Sequence, residues 1–203
     1  MEERRAPGGE RVTILILGPS QWLPSQQPPS LEVLRGHLPA SWAPTGGRVL
    51  APVDVRLALA EILSQRGVPA IVMEAEEPRD PPNSTVKFHE LVEKHFVEDY
   101  YIYWPYGAAR PGLDVELGFL LEQMWRRELG GEHVTVFYED DGARRRAAGY
   151  QFGRNGRLQF ASLERRGKRT RYYPDLVDFG AVAKDWRDHA ELVEEILAEA
   201  GLE

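Results

Sequence analysis

Four short runs of apolar and β-branched residues, separated by amphipathic segments, constrain the fold of this chain most. The first run holds six residues that would be buried on both faces, which indicates a central strand covered by helices on either side. Strands alternate with helices from residue 11 to 138, and this order predicts a parallel sheet with right-handed crossovers and helices on both faces. The four predicted strands are Val12–Leu17, Ala70–Met73, Tyr100–Trp104 and His133–Tyr138.

The predicted helices have local boundary signals. Asp54 is a candidate N-cap, and Gly67 follows the first long helix as a residue that can end it. Ser84 or Thr85 opens the next helix, and Gly130 follows the third. The proline-rich stretch of residues 21–52 holds a short helix within Leu31–Leu38, and the rest of that stretch is either an ordered, packed loop or a surface insertion.

The pattern changes after residue 138. Aromatic and aliphatic residues alternate around Asn155-Gly156, which predicts a tight β-hairpin. A helix is predicted over Val182–Ala200, with its apolar positions on one face. These patterns indicate a disordered N terminus over residues 1–10 and a single domain over 11–203, with a core at 11–138 and a hairpin and helix appendage at 143–203.

Composition excludes several classes of protein. A chain of 203 residues fits one domain, and its net charge of −7 argues against a general nucleic-acid or membrane-surface protein. Cysteine is absent, so disulfides and thiolate metal sites are excluded, and the five histidines show no metal-ligand spacing. With no long apolar run and no signal-peptide pattern, we expect a soluble cytoplasmic protein. No dinucleotide, Walker or serine-hydrolase motif is present, and neither a metal nor a cofactor is predicted.

The candidate site follows the third predicted strand. The aromatic strand that begins at Tyr100 runs up to Gly107, and Glu116 then lies in what the sequence indicates is the first turn of a helix. Ligands of open α/β sheets bind beyond the carboxyl ends of the strands. A carboxylate at this edge is therefore a candidate catalytic group.

Three features together resemble one enzyme family. Ile16–Ser20 ends the first strand with a small residue and a proline, an aromatic strand leads to Gly107, and residues 112–118 read Gly-Leu-Asp-Val-Glu-Leu-Gly. In these features the chain resembles the nucleoside 2-deoxyribosyltransferase family, whose Gly-x-x-x-Glu-x-Gly motif carries the nucleophile. It resembles more loosely the TIR-like domains of the same flavodoxin-like fold. The resemblance covers residues 11–138. It departs from the family at Arg110 and Leu113, where aspartate and a small polar residue are usual.

The resemblance implies a flavodoxin-like sheet and cleavage or transfer at the N-glycosidic bond of a nucleoside or nucleotide. Glu116 would stabilise the oxocarbenium-like state or attack it, as the carboxylates of retaining glycosidases do. Backbone N–H groups after the first and third strands would hold the sugar or phosphate, and aromatic side chains would stack on the base. The family commonly assembles, which implies a homo-oligomer. The candidate substrate-binding residues are Gly18, Pro19, Ser20, Trp104, Tyr106, Gly107, Gly112 and Asp114.

Two other functions remain open at this stage. One is a TIR-like hydrolase of NAD, and the other is a non-catalytic nucleotide-binding or protein-interaction module of the same fold. The helix dipole also accounts for a carboxylate in a first turn, at ~0.3–1 kcal/mol, so Glu116 and Asp114 have a structural explanation as well. A Glu116 that lines an open pocket with another polar group favours catalysis, whereas a buried or salt-bridged Glu116 favours the module.

A basic segment stands out in this acidic chain. Residues 143–171 hold ten arginines and lysines and one acidic residue, Glu164. Such a segment indicates weak contact with a polyanion or with an acidic partner, including another copy of the chain. It equally suits a hairpin whose charged edge prevents strand addition.

Overall fold

A computed structural model of the chain describes residues 13–22, 28–44, 49–76, 84–105, 108–109, 111–139, 176 and 179–202. Within these ranges the side chains of residues 76, 84–87, 109 and 111–115 are not described. The predictions for the N terminus (residues 1–10) and for the basic hairpin (residues 143–171) lie outside the described residues, as do Tyr106 and Gly107.

The described part of the chain contains strands and helices in alternation. The strands are β1 (Thr13–Leu17), β2 (Gln21–Trp22), β3 (Ala70–Ile71), β4 (Val97–Trp104), β5 (Ala108–Ala109), β6 (Val134–Glu139) and β7 (Val182–Trp186). The α-helices are α1 (Glu32–Arg35), α2 (Pro52–Gln65), α3 (Ser84–His95), α4 (Pro111–Trp125) and α5 (His189–Glu199). Short 3₁₀ turns span Met73–Glu76 and Gly131–His133.

Five of the strands form one parallel sheet in the order β3-β1-β4-β6-β7. Every neighbouring pair is parallel, so the predicted parallel arrangement of the four apolar runs is confirmed. Counted within this sheet alone, the order is 2-1-3-4-5, the order of flavodoxin-like folds. The remaining two strands, β2 and β5, pair antiparallel in a small ribbon.

The end of the chain departs from the prediction of one helix over Val182–Ala200. Its first five residues form β7, the strand at one end of the order, and α5 begins only at His189. Asp188 caps this helix, because its carboxylate accepts the backbone N–H groups of Ala190 at 2.9 Å and Glu191 at 3.0 Å. The terminal segment therefore supplies a strand of the main sheet as well as the predicted helix.

Two helix starts also lie earlier than predicted. The helix α2 begins at Pro52 and α4 at Pro111, and proline is favoured at the first helical position because its missing N–H would have no partner there. Asp54 is thus the third residue of α2 rather than its N-cap, and its carboxylate accepts the Ala51 backbone N–H at 2.9 Å. Glu116 is the sixth residue of α4, in the second turn rather than the first.

Alternation along the strands builds a separate core on each face of the sheet. One core unites Ile14 and Ile16 with Tyr101, Tyr103 and the buried sides of α2 and α5. The other unites Leu15 and Leu17 with Tyr100, Ile102, Trp104 and the buried sides of α3 and α4. Helices thus cover both faces of the sheet, as the apolar runs predicted.

Candidate functional site

The site lies where the helices that follow neighbouring strands leave for opposite faces of the sheet. The helix after β1, α2, packs on one face, and the helix after β4, α4, packs on the other. Doubly wound sheets bind ligands at such a switch point. The ribbon of β2 and β5 joins the two loops that flank it, with Gln21 opposite Ala109 and Trp22 opposite Ala108. The indole of Trp22 also donates to the Leu50 carbonyl at 2.7 Å.

Gly18 allows the backbone after β1 to approach β4 closely. A Cβ atom at this position would lie 2.7 Å from the Tyr103 carbonyl oxygen and 3.0 Å from Cδ of Arg56. Both distances are shorter than ordinary van der Waals contact, and the carbonyl belongs to the backbone and cannot turn aside. The predicted site residue Gly18 is therefore needed to bring β1, β4 and Arg56 together.

Arg56 of α2 is fully buried and forms an ion pair with Glu74, which follows β3. Its Nη1 donates to Oε2 of Glu74 at 2.8 Å, while Nη2 donates to Oε1 and to the Pro19 carbonyl at 3.3 Å. Two parallel bonds between a guanidinium and a carboxylate fix the orientation of both groups. The third guanidinium nitrogen, Nε, is buried, and its N–H has no acceptor among the described residues.

Ser20 completes this cluster on its exposed side. Its hydroxyl donates to Oε1 of Glu74 at 3.0 Å, and 24% of the Glu74 side chain is exposed. Burial alone would raise the pKa of Glu74, but the charge and hydrogen bonds of Arg56, with the bond from Ser20, lower it below its ordinary value. Glu74 is therefore an ionised carboxylate at neutral pH.

An aromatic group adjoins this cluster at the carboxyl end of β4. The Tyr103 hydroxyl lies 3.1 Å from Nε2 of His189, and the Tyr103 ring stacks on Trp186 at a centroid distance of 5.9 Å. Burial lowers the pKa of His189 to about 4, despite the opposing charge of Asp188. Burial, with the charge of Glu139, raises the pKa of Tyr103 well above its ordinary value, while Arg56 opposes that rise. Both groups are neutral at pH 7, so the Tyr103 hydroxyl can donate to the histidine.

Glu116 is buried at the same edge of the sheet, with 6% of its surface exposed. Its position in the second turn weakens the dipole explanation, because that effect falls off within the first turn of a helix. Trp104 is 3% exposed and belongs to the core beneath α3 and α4, so it presents no open face to a base. Gly112 and Asp114 belong to the first turn of α4.

Comparison with known proteins gives no indication of function. No family model, curated protein or solved structure matches this chain. Within the described ranges, no three histidine or acidic side chains come together as metal ligands would. None of the described helices is long and apolar enough to cross a membrane.

The sequence analysis did not identify Arg56, Glu74, Tyr103 or His189 as site residues. One signal was available for Arg56. It precedes Leu59, Ala60 and Leu63 by three, four and seven positions, and all three are buried. A charge on the apolar side of an amphipathic helix needs a buried partner, which marks it for attention. Its partner Glu74 comes from a different element, and nothing in the local sequence links the two.

Proposed function

We propose that this protein cleaves or transfers the N-glycosidic bond of a nucleoside or nucleotide, with Glu116 as the catalytic carboxylate. The observation that carries the proposal is the position of the Glu116 carboxylate, in the second turn of the helix α4 that follows the central strand β4. The helix dipole offers a carboxylate little stabilisation at this position, so it does not explain why Glu116 is here. Ligands of this fold bind beyond the carboxyl ends of the strands, which is where Glu116 lies.

The chemistry matches the position of Glu116. Breaking an N-glycosidic bond develops positive charge at C1′ of the sugar, and a nearby carboxylate stabilises that charge or attacks it. Exclusion of water strengthens this interaction, because the surrounding dielectric is low. Gly18, Pro19 and Ser20, with the Arg56–Glu74 pair, supply polar groups at the same edge for orienting a substrate.

Two further parts of the proposal come from the sequence. The family resemblance implies that several copies of the chain assemble, and the basic residues of 143–171 favour weak binding of a polyanion. Contacts with phosphates release counterions, so such binding should fall with salt at a slope of roughly −0.9 per contact on duplex DNA. Titration with DNA and RNA at two salt concentrations tests this part, and no binding at low salt would contradict it.

One observation favours a second candidate, a non-catalytic nucleotide-binding or interaction module. Glu116 is only 6% exposed, which is the burial that the sequence analysis expected of the module, and a reacting carboxylate must reach its substrate. If the burial is permanent, Glu116 supports the packing of α4 and catalyses nothing. The two candidates make different predictions for base release, although both allow nucleotide binding.

The deciding experiment is incubation with a panel of ribonucleosides, 2′-deoxyribonucleosides, their 5′-monophosphates and NAD, with chromatography of the released base. The proposal predicts base release from at least one nucleoside or nucleotide. Release from NAD alone would identify the TIR-like variant of the activity. Binding of a nucleotide without any release would contradict the proposal and support the module.

A further inference from the structure

We propose that Ser20 and Glu74 form an acceptor site that binds the ribose hydroxyl groups of the substrate and disfavours a phosphate. The inference rests on the proposed function for the choice of a nucleoside as the ligand. It makes that function more specific, because it selects ribosyl over 2′-deoxyribosyl substrates.

The hydrogen bonds of the cluster leave acceptors, not donors, on its exposed side. Ser20 gives its hydroxyl proton to Glu74, so its oxygen offers lone pairs to a ligand. The carboxylate of Glu74 only accepts hydrogen bonds, and 24% of the side chain is exposed. A ligand that binds to these two side chains must therefore donate hydrogen bonds, as sugar hydroxyl groups do.

The donors of Arg56 are turned away from a ligand. Both of its terminal nitrogens bond to Glu74, and Nη2 bonds to the Pro19 carbonyl as well. The third group, Nε–H, is buried, and the position of a Cβ at Gly18 would be only 3.4 Å from Nε. The arginine thus fixes the carboxylate from behind and has no exposed donor for an anion.

Charge leads to the same conclusion. The pKa of Glu74 is lowered, so the exposed member of the ion pair is negative at neutral pH. A phosphate beside it would meet a charge of the same sign, whereas a hydroxyl gains a charge-assisted hydrogen bond. This changes the expectation for the loop after β1, where the sequence suggested that the sugar or the phosphate could lie.

The position of Glu74 in the sheet also suits a sugar site. It follows β3, the strand that neighbours β1, and it contacts the turn after β1 through Ser20. Dinucleotide-binding folds place an acidic residue in a comparable relation to the first strand, and that residue accepts a bond from the ribose 2′-hydroxyl. The present cluster differs because a buried arginine holds the carboxylate.

The test is calorimetric titration of the four ribonucleosides, their 2′-deoxy counterparts and their 5′-monophosphates into the Glu116→Gln protein, which prevents turnover. We expect the tightest-binding ribonucleoside to bind about tenfold or more tightly than its 2′-deoxy counterpart, as loss of a bond to a charged group implies. The 5′-monophosphate should bind no more tightly than the ribonucleoside. Equal affinity for the ribosyl and deoxyribosyl forms, tenfold tighter binding of the monophosphate, or no binding of any ribonucleoside at millimolar concentration would overturn the inference.

Variants of Ser20 and Glu74 test whether the preference for the ribosyl form arises at these two side chains. Adding Glu74→Gln should abolish the preference for the ribosyl form, and Ser20→Ala, which keeps the Arg56–Glu74 pair intact, should reduce it severalfold. Ser64→Ala changes an exposed serine near the other end of α2 and should leave the preference unchanged. A full preference in a folded Ser20→Ala protein would exclude Ser20 from the site. Base release by the wild type is measured separately, so a missing hydroxyl preference and a missing glycosidic activity are distinct results.

Discussion

Charged side chains are buried at the carboxyl ends of the strands (the carboxyl edge) and partly exposed at their amino ends (the amino edge). The three buried charged side chains among the described residues, Asp54, Arg56 and Glu116, lie in the first two turns of α2 and α4, at the carboxyl edge. At the amino edge, His133 and Asp99 form a pair at 2.9 Å whose side chains are 32% and 18% exposed. Buried charges need partners, as Arg56 needs Glu74 and Asp54 accepts the Ala51 N–H, whereas the groups at the amino ends keep contact with water.

The largest expected effect comes from removing the carboxylate of one side-chain pair at each end of the strands. Glu74→Gln leaves the buried Arg56 without its carboxylate and should lower the free energy of unfolding by about 3–5 kcal/mol at pH 7. Asp99→Asn changes the partly exposed pair with His133 at the amino ends and should lower the free energy of unfolding by less than about 1 kcal/mol. Urea denaturation of both variants beside the wild type measures the difference.

The pH dependence provides a control for the first variant. Because the pKa of Glu74 in the folded protein lies below its ordinary 4.5, its contribution to stability is present above pH 4.5. It is lost as the pH falls further, through the folded pKa. The difference in free energy of unfolding between the wild type and Glu74→Gln should therefore become smaller in acid. If Glu74→Gln and Asp99→Asn lower the free energy of unfolding equally at pH 7, the contrast between the two ends of the strands is wrong.

A second prediction concerns His189, which is partly buried at the carboxyl ends of the strands. Its pKa is about 4 in the folded protein against an ordinary 6.5, so the unfolded chain takes up the proton first as the pH falls. This difference should lower the free energy of unfolding of the wild type by about 3 kcal/mol between pH 6.5 and 4. His189→Gln should lack that loss, whereas Tyr103→Phe should keep it, because burial is the main cause. Identical pH profiles for His189→Gln and wild type would contradict this account.

Two glycine substitutions, with smaller expected effects than Glu74→Gln, test the close approach of β1 and β4. Gly18→Ala places a methyl group 2.7 Å from the Tyr103 carbonyl and should cost about 1–3 kcal/mol, because the backbone must move. A methyl group at Gly36 would meet no atom within 4 Å, so Gly36→Ala should change stability by less than about 0.5 kcal/mol. Thermal unfolding compares the two. A Gly18→Ala protein as stable as the wild type would show that β1 and β4 tolerate a wider separation.

Much of the fold could be predicted because the central strands of the sheet, β1, β4 and β6, are largely buried on both faces. The runs that became β1, β4 and β6 are apolar enough to stand out without any partner information. The strand β7 was missed because Trp186 is its only buried residue, and its charged residues Lys184 and Asp185 resemble a helix surface. The early starts of α2 and α4 had a visible signal, a proline at the first helical position.

The candidate site was harder to predict, since its contacts join distant parts of the chain. Arg56 and Glu74 are 18 residues apart, and Tyr103 and His189 are 86 apart. Such pairs depend on strand order, which no local pattern encodes. Glu116 was identified from a short motif, but its burial and its place in the second turn required the structure.

The central claim is that Glu116 is catalytic, and base release by the Glu116→Gln variant tests it most directly. The swap keeps the size of the side chain and removes its negative charge. We expect the rate of release to fall by at least ~10²–10³, as loss of a positioned electrostatic stabiliser does. Glu122→Gln, an exposed glutamate of the same helix, should keep the wild-type rate. Loss of release in a Glu116→Gln protein that melts like the wild type is the predicted result, and wild-type release by that folded variant would contradict it.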